Sequence, residues 1–116
     1  MNPVEQRRFT RTRFFGNVMV RPLPNGQLLE AYALNLSQGG LALISGHVLD
    51  VGRSVELLLP VKTPDGRRMD CKIEGRVANV RKEADRHVMG IAFAKALSTE
   101  EFSVLQKILV GIGVEA

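Results

Sequence analysis

Residues 69–77 alternate strictly between apolar or small side chains and charged side chains. The first set is Met, Cys, Ile, Gly and Val, and the second set is Asp, Lys, Glu and Arg. Successive side chains of a β-strand point to opposite faces of a sheet, so this strand has one face toward a core and one face toward water. The alternation therefore predicts a half-buried strand, and the chain must fold around a sheet.

A period of two recurs in most of the chain after residue 13, in segments that are bounded by turn residues. The six strands that this pattern predicts are 14–21, 27–36, 41–45, 53–59, 69–77 and 88–94. Pro, Gly, Asn and Asp mark turns at residues 22–26 and 63–66. Residues 80–87 are predicted to form a charged loop, and Gly90 in the last strand indicates a bulge or a close backbone approach.

The period of the pattern changes near the C-terminus. Ser98 and Glu101 have the spacing of a capping box, which predicts that a helix begins there. An apolar stripe at helical spacing follows, formed by Phe102, Leu105 and Leu109. Gly111 and Gly113 are expected to end this helix.

Six antiparallel strands with short connections and one helix predict an all-β fold with a C-terminal helix. The expected architecture is a small six-stranded antiparallel β-barrel, closed or nearly closed, with the helix at an open end or on a sheet face. A chain of 116 residues suits a single domain with one core. We expect an N-terminal tail at residues 1–5, one domain at residues 6–110 that includes an arginine-rich arm at 6–13, and a C-terminal tail at residues 111–116.

The composition disfavours several classes of protein. The first 13 residues lack the apolar segment of a secretory signal, and no apolar run approaches the roughly 20 residues of a membrane helix. Cys71 is the only cysteine, which fits a reducing compartment. We therefore expect a cytoplasmic protein with no membrane insertion.

The residue types that usually carry catalysis or bind metals are not arranged for either role. His47 and His87 are far apart in the sequence, and neither has metal-ligand spacing around it. Ser37 lacks a nucleophile-elbow pattern, and no His or Asp is placed as its partner. We expect no metal site, no catalytic residue and no enzymatic activity.

The positive charge of the chain is concentrated at one end. The formal net charge is +4, and the first 21 residues hold five arginines and a single acid, Glu5, so the rest of the chain is balanced. Arg7 and Arg11 are four residues apart, which places them on one face of either a helical turn or an extended chain, with Arg8 beside them. Guanidinium groups donate paired hydrogen bonds to phosphate and match the edge of guanine. The arm therefore indicates a small anionic ligand, although its spacing alone favours a solvated basic tail.

A second polar motif follows the second predicted strand. Asn35 and Ser37 share one side of the strand end, while Leu36 points to the core, so an amide and a hydroxyl project from the same rim. Gly39 and Gly40 permit positive φ and a close backbone approach, at which N–H groups can face an oxyanion. By itself the segment favours a polar turn with conformationally tolerant residues.

The two motifs, in this order, resemble those of the PilZ domain family, bacterial receptors for cyclic di-GMP. Residues 7–11, Arg-Arg-Phe-Thr-Arg, are similar to the family's RxxxR motif. Residues 35–40, Asn-Leu-Ser-Gln-Gly-Gly, are similar to its [D/N]xSxxG motif, and residues 90–93 look like its closing strand. The resemblance extends from about residue 6 to about residue 110, and it implies a six-stranded β-barrel with a C-terminal helix.

The resemblance also implies roles for individual residues. The arginines would hold the phosphates and guanine of cyclic di-GMP, the amide and hydroxyl would contact a guanine edge or a phosphate, and the last glycine would leave room for the ligand. The expected ligand-binding residues are Arg7, Arg8, Arg11, Asn35, Ser37, Gly39 and Gly40. Many family members have an arginine just before RxxxR, and this residue influences whether one ligand or a stacked pair binds. Gln6 occupies that position, so both stoichiometries stay open.

The resulting hypothesis is a non-enzymatic cyclic di-GMP receptor, a monomer or homodimer, that needs no cofactor. Its arm would change conformation on binding and signal to an unidentified protein partner, in processes such as motility and biofilm formation. One alternative is a PilZ-like adaptor that binds no nucleotide. A barrel for single-stranded nucleic acid ranks last, because such proteins line a groove with several stacking aromatic residues.

Overall fold

The computed structural model of the protein describes residues 12–110 and 112–114, which form seven strands and one helix. These elements are β1 (Thr12–Pro22), β2 (Leu29–Leu36), β3 (Gly40–Ser45), β4 (Ser54–Lys62), β5 (Arg68–Glu83), β6 (Arg86–Phe93), α1 (Thr99–Ile108) and β7 (Ile112–Val114). The barrel strands pair in the order β1, β2, β3, β6, β5 and β4, and β4 closes the barrel by pairing with β1. All of these pairs are antiparallel, so the closed six-stranded barrel predicted from the sequence is confirmed.

The barrel interior is filled by side chains from alternate positions of the strands. In β5, Gly75 and Val77 are buried and Ile73 is half-buried, while the charged residues between them are exposed. The predicted division of this strand into a core face and a water face is therefore confirmed from Cys71 to Val77, whereas Met69, also predicted on the core face, is 56% exposed. The largest fully buried side chains are Leu36, Leu43, Leu57, Leu59, Met89, Val18, Val20, Val55 and Val77.

The predicted charged loop at residues 80–87 is wrong. Strand β5 continues to Glu83, pairs there with Arg86 and leaves only a two-residue turn, in which Ala84 has a φ of 55°. The strand continues because Val80 packs against the core, and its charged neighbours lie on exposed faces of the hairpin. A charged segment can thus be a strand when the hairpin projects into water.

Gly90 lies opposite an irregularity in the facing strand. The register of β5 shifts between Val77 and Asn79, so the bulge is in β5 and not at Gly90 itself. A Cβ atom at Gly90 would lie 2.8 Å from the side-chain amide of Asn79. The glycine therefore marks a close approach, and the approaching group is a side chain.

Helix α1 begins as predicted. The Ser98 hydroxyl accepts a hydrogen bond from the Glu101 N–H at 3.0 Å, and the Glu101 carboxylate accepts one from the Ser98 N–H at 2.8 Å. Phe102 and Leu105 are buried in the same core as the inward-facing side chains of the strands. The predicted apolar stripe thus attaches the helix to the barrel.

The helix ends earlier than the two glycines predicted. Its last residue is Ile108, and Leu109 is already extended. The Val110 N–H donates to the Pro60 carbonyl at 2.8 Å, and Leu109 forms a bridge with Val61. Pairing with β4 therefore ends the helix before Gly111.

The C-terminal segment completes the barrel at its seam, the place where β1 and β4 pair over a short stretch only. Strands β1 and β4 pair only over Met19–Pro22 and Val55–Leu58. Beyond that point the C-terminal segment bridges to β4 at Val61 and then forms β7, which pairs with Arg13–Phe15 of β1. Strand β7 lies within residues 111–116, where the sequence predicts a tail and no strand.

Candidate functional site

The loop between β2 and β3, which contains the second motif, is held by its own polar groups. The Ser37 N–H donates to the Gly40 carbonyl at 2.8 Å, and the Ser37 hydroxyl donates to the same carbonyl at 3.2 Å. The hydroxyl also accepts from the Gly39 N–H at 3.3 Å. Ser37 is only 8% exposed, so its side chain primarily fixes the loop, with one lone pair of the hydroxyl left over.

Gly40 is required by the approach of β3 to β6. It pairs with Ala92, and a Cβ atom at this position would overlap the carbonyl oxygen of Ile91. Gly40 does not have a positive φ, because the glycines with positive φ in the described residues are Gly52 and Gly66. The space at this position is thus taken by the neighbouring strand.

Asn35 lies at the end of β2, next to the loop. Its backbone pairs with Arg13 of β1 on one side and with Ala42 of β3 on the other. The side chain is half-buried, whereas Leu36 is 1% exposed and belongs to the core, as predicted. The strand end therefore carries the motif amide and hydroxyl at one rim of the barrel.

The first strand that the structure describes starts at this rim. Strand β1 begins at Thr12, whose backbone pairs with Leu36, the residue before Ser37. Arg7, Arg8 and Arg11 lie outside the described residues, so the structure does not test their predicted roles. In the sequence, Arg11 is the residue before Thr12.

Gln38, inside the motif, was not among the predicted site residues. Its carbonyl accepts the Leu97 N–H at 2.8 Å, and its side-chain amide donates to the Leu97 carbonyl at 3.0 Å. The Phe93 N–H donates to the Gly39 carbonyl at 2.9 Å. These three bonds, here called the loop clamp, fasten the motif loop to the segment before α1. No local signal in the sequence identifies a partner 59 residues away.

The basic residues of the β5–β6 hairpin do not extend the site. Arg81 is paired with Glu83 at 2.8 Å, on the hairpin that joins β5 to β6. That hairpin starts β6 at Arg86, whereas the motif loop meets the other end of β6 at Ala92. A strand rises about 3.3 Å per residue, so the hairpin is far from the loop.

Other candidates from the sequence have ordinary surroundings. Cys71 is half-buried on the core face of β5, and burial raises the pKa of its thiol, which disfavours the reactive thiolate. Within the described residues, no group of three His, Cys, Asp or Glu side chains is arranged to bind a metal ion. The helix that the structure describes is too short and too polar to span a bilayer.

Comparisons with known proteins agree with this architecture. The model of the PilZ domain family matches residues 5–111. No curated protein sequence matches the chain. Several solved structures share the fold at low sequence identity, among them the following three.

The first is the Bacillus subtilis inhibitor of motility, MotI/DgrA, with a TM-score of 0.65 and 19% identity. The match covers 87% of this chain but 48% of that one, so the chain spans about half the length of the Bacillus protein. The second is the PilZ domain of Escherichia coli YcgR with c-di-GMP, with a TM-score of 0.60, 16% identity and coverage of 88% and 87%. The third is the PilZ domain of CeSA from a cellulose-synthesizing bacterium, with a TM-score of 0.53, 19% identity and coverage of 84% and 93%.

Proposed function

The chain belongs to the PilZ domain family, and on this premise we propose that it is a receptor for cyclic di-GMP that acts by binding and not by catalysis. One observation carries the proposal: Thr12, the first described residue of β1, pairs with Leu36 beside the loop that holds the second motif, and the arginine motif at residues 7–11 directly precedes Thr12 in the sequence. We expect both motifs of the family to meet at this barrel rim. The YcgR domain of the same fold, which was solved with c-di-GMP, supports the choice of ligand.

The arm supplies the positive charge that a doubly anionic ligand needs. The Cα of Arg11 is about 3.8 Å from that of Thr12, and Arg7 is at most about 14 Å further along the chain. Both guanidinium groups are therefore within reach of a ligand at the Asn35–Gly40 rim. Paired hydrogen bonds from Arg7, Arg8 and Arg11 would hold the phosphates and a guanine edge.

The barrel rim supplies the polar surface for the ligand. Ser37 and Gly40 are held in place by hydrogen bonds within the loop and by the pairing of β3 with β6. Asn35 would contact a guanine edge, and the exposed parts of Gly39 and Gly40 would allow the ligand close to the backbone. The arm closes over the ligand, and the new surface is recognised by a protein partner in the cytoplasm.

Isothermal titration with cyclic di-GMP tests the proposal. The parent chain should bind, and Arg7→Ala and Arg11→Ala should each weaken binding by roughly 10-fold to 100-fold, because each removes a charge-assisted contact. Arg68→Ala is the matched control: this exposed arginine is seven residues along β5 from Gly75, which pairs with Phe93 beside the loop. Absence of binding heat in the parent, or equal affinity of all four proteins, would contradict the proposal.

The same titration decides the stoichiometry that Gln6 leaves open. A single ligand per protomer is expected if the missing arginine prevents a stacked pair from forming. A ratio of two would show that Arg8 or Arg13 substitutes for it. Light scattering at the same protein concentrations would separate a monomer from a homodimer.

A second function is supported by the structural roles of the motif itself. Ser37 and Gly40 are explained by the loop geometry without any ligand, so a PilZ-like adaptor that binds no nucleotide would keep them. This adaptor would be favoured if the same amount of a protein partner were captured with and without cyclic di-GMP, and if the titration gave no binding heat.

A further inference from the structure

We propose that Gln38 is a positioning residue that fastens the ligand-binding loop to the segment before α1 and passes the capture of nucleotide to the start of that helix. The inference rests on the proposed function, because the ligand that it invokes is cyclic di-GMP. Gln38 would act through Leu97 and would not need to touch the ligand.

The geometry of the clamp carries the first part of the proposal. Gln38 and Leu97 exchange two hydrogen bonds, at 2.8 Å and 3.0 Å, and one of them uses the side-chain amide of Gln38. The bonds are partly buried, so they compete less with water than exposed bonds do. The two flanking motif residues, Ser37 and Gly39, are thus held against the far end of the chain.

The position of Leu97 carries the second part. Leu97 immediately precedes Ser98, the N-cap of α1, and it packs against the core. Residues 94–96, which connect it to β6, are exposed, and the Ala94 N–H donates to the Glu74 carbonyl at 2.8 Å. The loop clamp therefore links the motif loop to the capping box through a few residues, and the exposed residues Lys95 and Ala96 leave Leu97 room to shift.

The surface at the other end of this connection faces outward. Leu97 and Ser98 line an open groove between α1 and β5, together with Ile73, Val104 and Ile108. A change in the loop that is transmitted by Gln38 would therefore alter this groove on the barrel surface. The groove would then report the bound state.

The chemistry of the side chain sets a direction that can be tested. The amide of Gln38 must donate, because the Leu97 carbonyl only accepts. Gln38→Ala removes the donor, and Gln38→Glu replaces it at neutral pH with a carboxylate that faces a carbonyl oxygen. Both substitutions should loosen the clamp, and Gln38→Glu should do so more strongly.

Hydrogen exchange by NMR and isothermal titration on the full chain test the proposal. In the parent, saturating cyclic di-GMP should slow exchange of the Leu97 and Phe102 amides. In Gln38→Ala, affinity should fall by roughly twofold to tenfold, the worth of one neutral hydrogen bond, and this slowing should disappear. Gln27→Ala is the matched control, since Gln27 is exposed and lies at the opposite end of β2.

A merely structural role gives a different result. Without ligand, the Leu97 amide would then exchange faster in Gln38→Ala than in the parent. Saturating cyclic di-GMP would nevertheless slow this exchange by the same factor in both proteins. This outcome would overturn the proposal that Gln38 transmits ligand binding to α1. Unchanged exchange at Leu97 in ligand-free Gln38→Ala and Gln38→Glu, relative to Gln27→Ala, overturns the clamp. If the parent gives no binding heat, the proposed function and the transmission both fail, and the ligand-free comparison still decides the clamp.

Discussion

At Gly40 the backbone of β3 comes so close to β6 that a methyl group would overlap the Ile91 carbonyl oxygen. This contact is backbone against backbone, so no flexible side chain can move aside to relieve it. Ser37 also has a structural role, because its hydroxyl both donates and accepts a hydrogen bond within the loop. At the scale of single residues, the motif that is proposed to bind the ligand also builds the rim on which the ligand would rest.

Gly40→Ala should therefore destabilise the protein by about 1–3 kcal/mol, the usual cost of forcing extra volume into a packed site. Gly46→Ala is the matched control, since nothing lies within 4 Å of a Cβ atom there. Its free energy of unfolding should stay within about 0.5 kcal/mol of the parent value. Urea unfolding of the three proteins measures both differences, and equal loss in the two variants would refute the explanation.

At the scale of elements, the start of α1 depends on local chemistry and its end on a neighbouring strand. Ser98 and Glu101 satisfy each other's backbone N–H groups, and such a box forms from residues three apart. The hydrogen bond from the Ser98 backbone, followed by that from the Ser98 side chain, holds the pKa of the Glu101 carboxyl below its ordinary value of 4.5. The C-terminal end, by contrast, is set when Val110 pairs with Pro60.

The capping box makes stability depend on pH in a definite direction. A carboxyl whose pKa is lower in the folded state stabilises the fold above its ordinary pKa, and it loses that contribution as the pH falls below about 4.5. The parent should therefore lose stability relative to Glu101→Gln as the pH is lowered through this range. Chemical unfolding from pH 7 to pH 3 measures the difference.

Ser98→Ala provides the companion measurement. It removes the hydroxyl that caps the helix and should cost about 1 kcal/mol at neutral pH. A parent that follows Glu101→Gln at every pH would show that the carboxylate plays no part in the cap.

At the scale of the whole molecule, the first and last strands that the structure describes pair with each other. The first residues of β1 pair with β2 on one side and with β7 on the other, while the last residues of β1 pair with β4. The arginine arm thus continues from a strand whose outer edge is completed by the C-terminus. Order at the start of β1 depends on both neighbours.

A chain that ends at Val110 should loosen the start of β1 without opening the barrel. Amide exchange of residues 13–15 should become faster, because their outer partner is lost. The amides of residues 19–21 provide the internal control, since they keep their pairing with β4. Equal acceleration along the whole strand would instead indicate that β7 supports the entire fold.

Much of the fold could be predicted from the sequence, because its signals are local. The alternation in β5, the turn residues and the capping box each act within a few residues, and the structure confirms them. The sequence also predicts a break after the second strand, where the structure has the loop that joins β2 to β3. The binding roles of all seven predicted residues stay predictions, three of them, Arg7, Arg8 and Arg11, on residues outside the described part of the chain.

By itself the sequence determined which faces of the strands are apolar, where α1 begins, and which two motifs are present. Only the tertiary structure decided that residues 80–83 extend β5, that α1 stops at Ile108 and that β7 fills the seam beside β1. It alone joined Gln38 to Leu97. The physical reason is the same in each case: these features depend on hydrogen bonds and packing between residues that are distant in sequence, and periodicity reports only on neighbours.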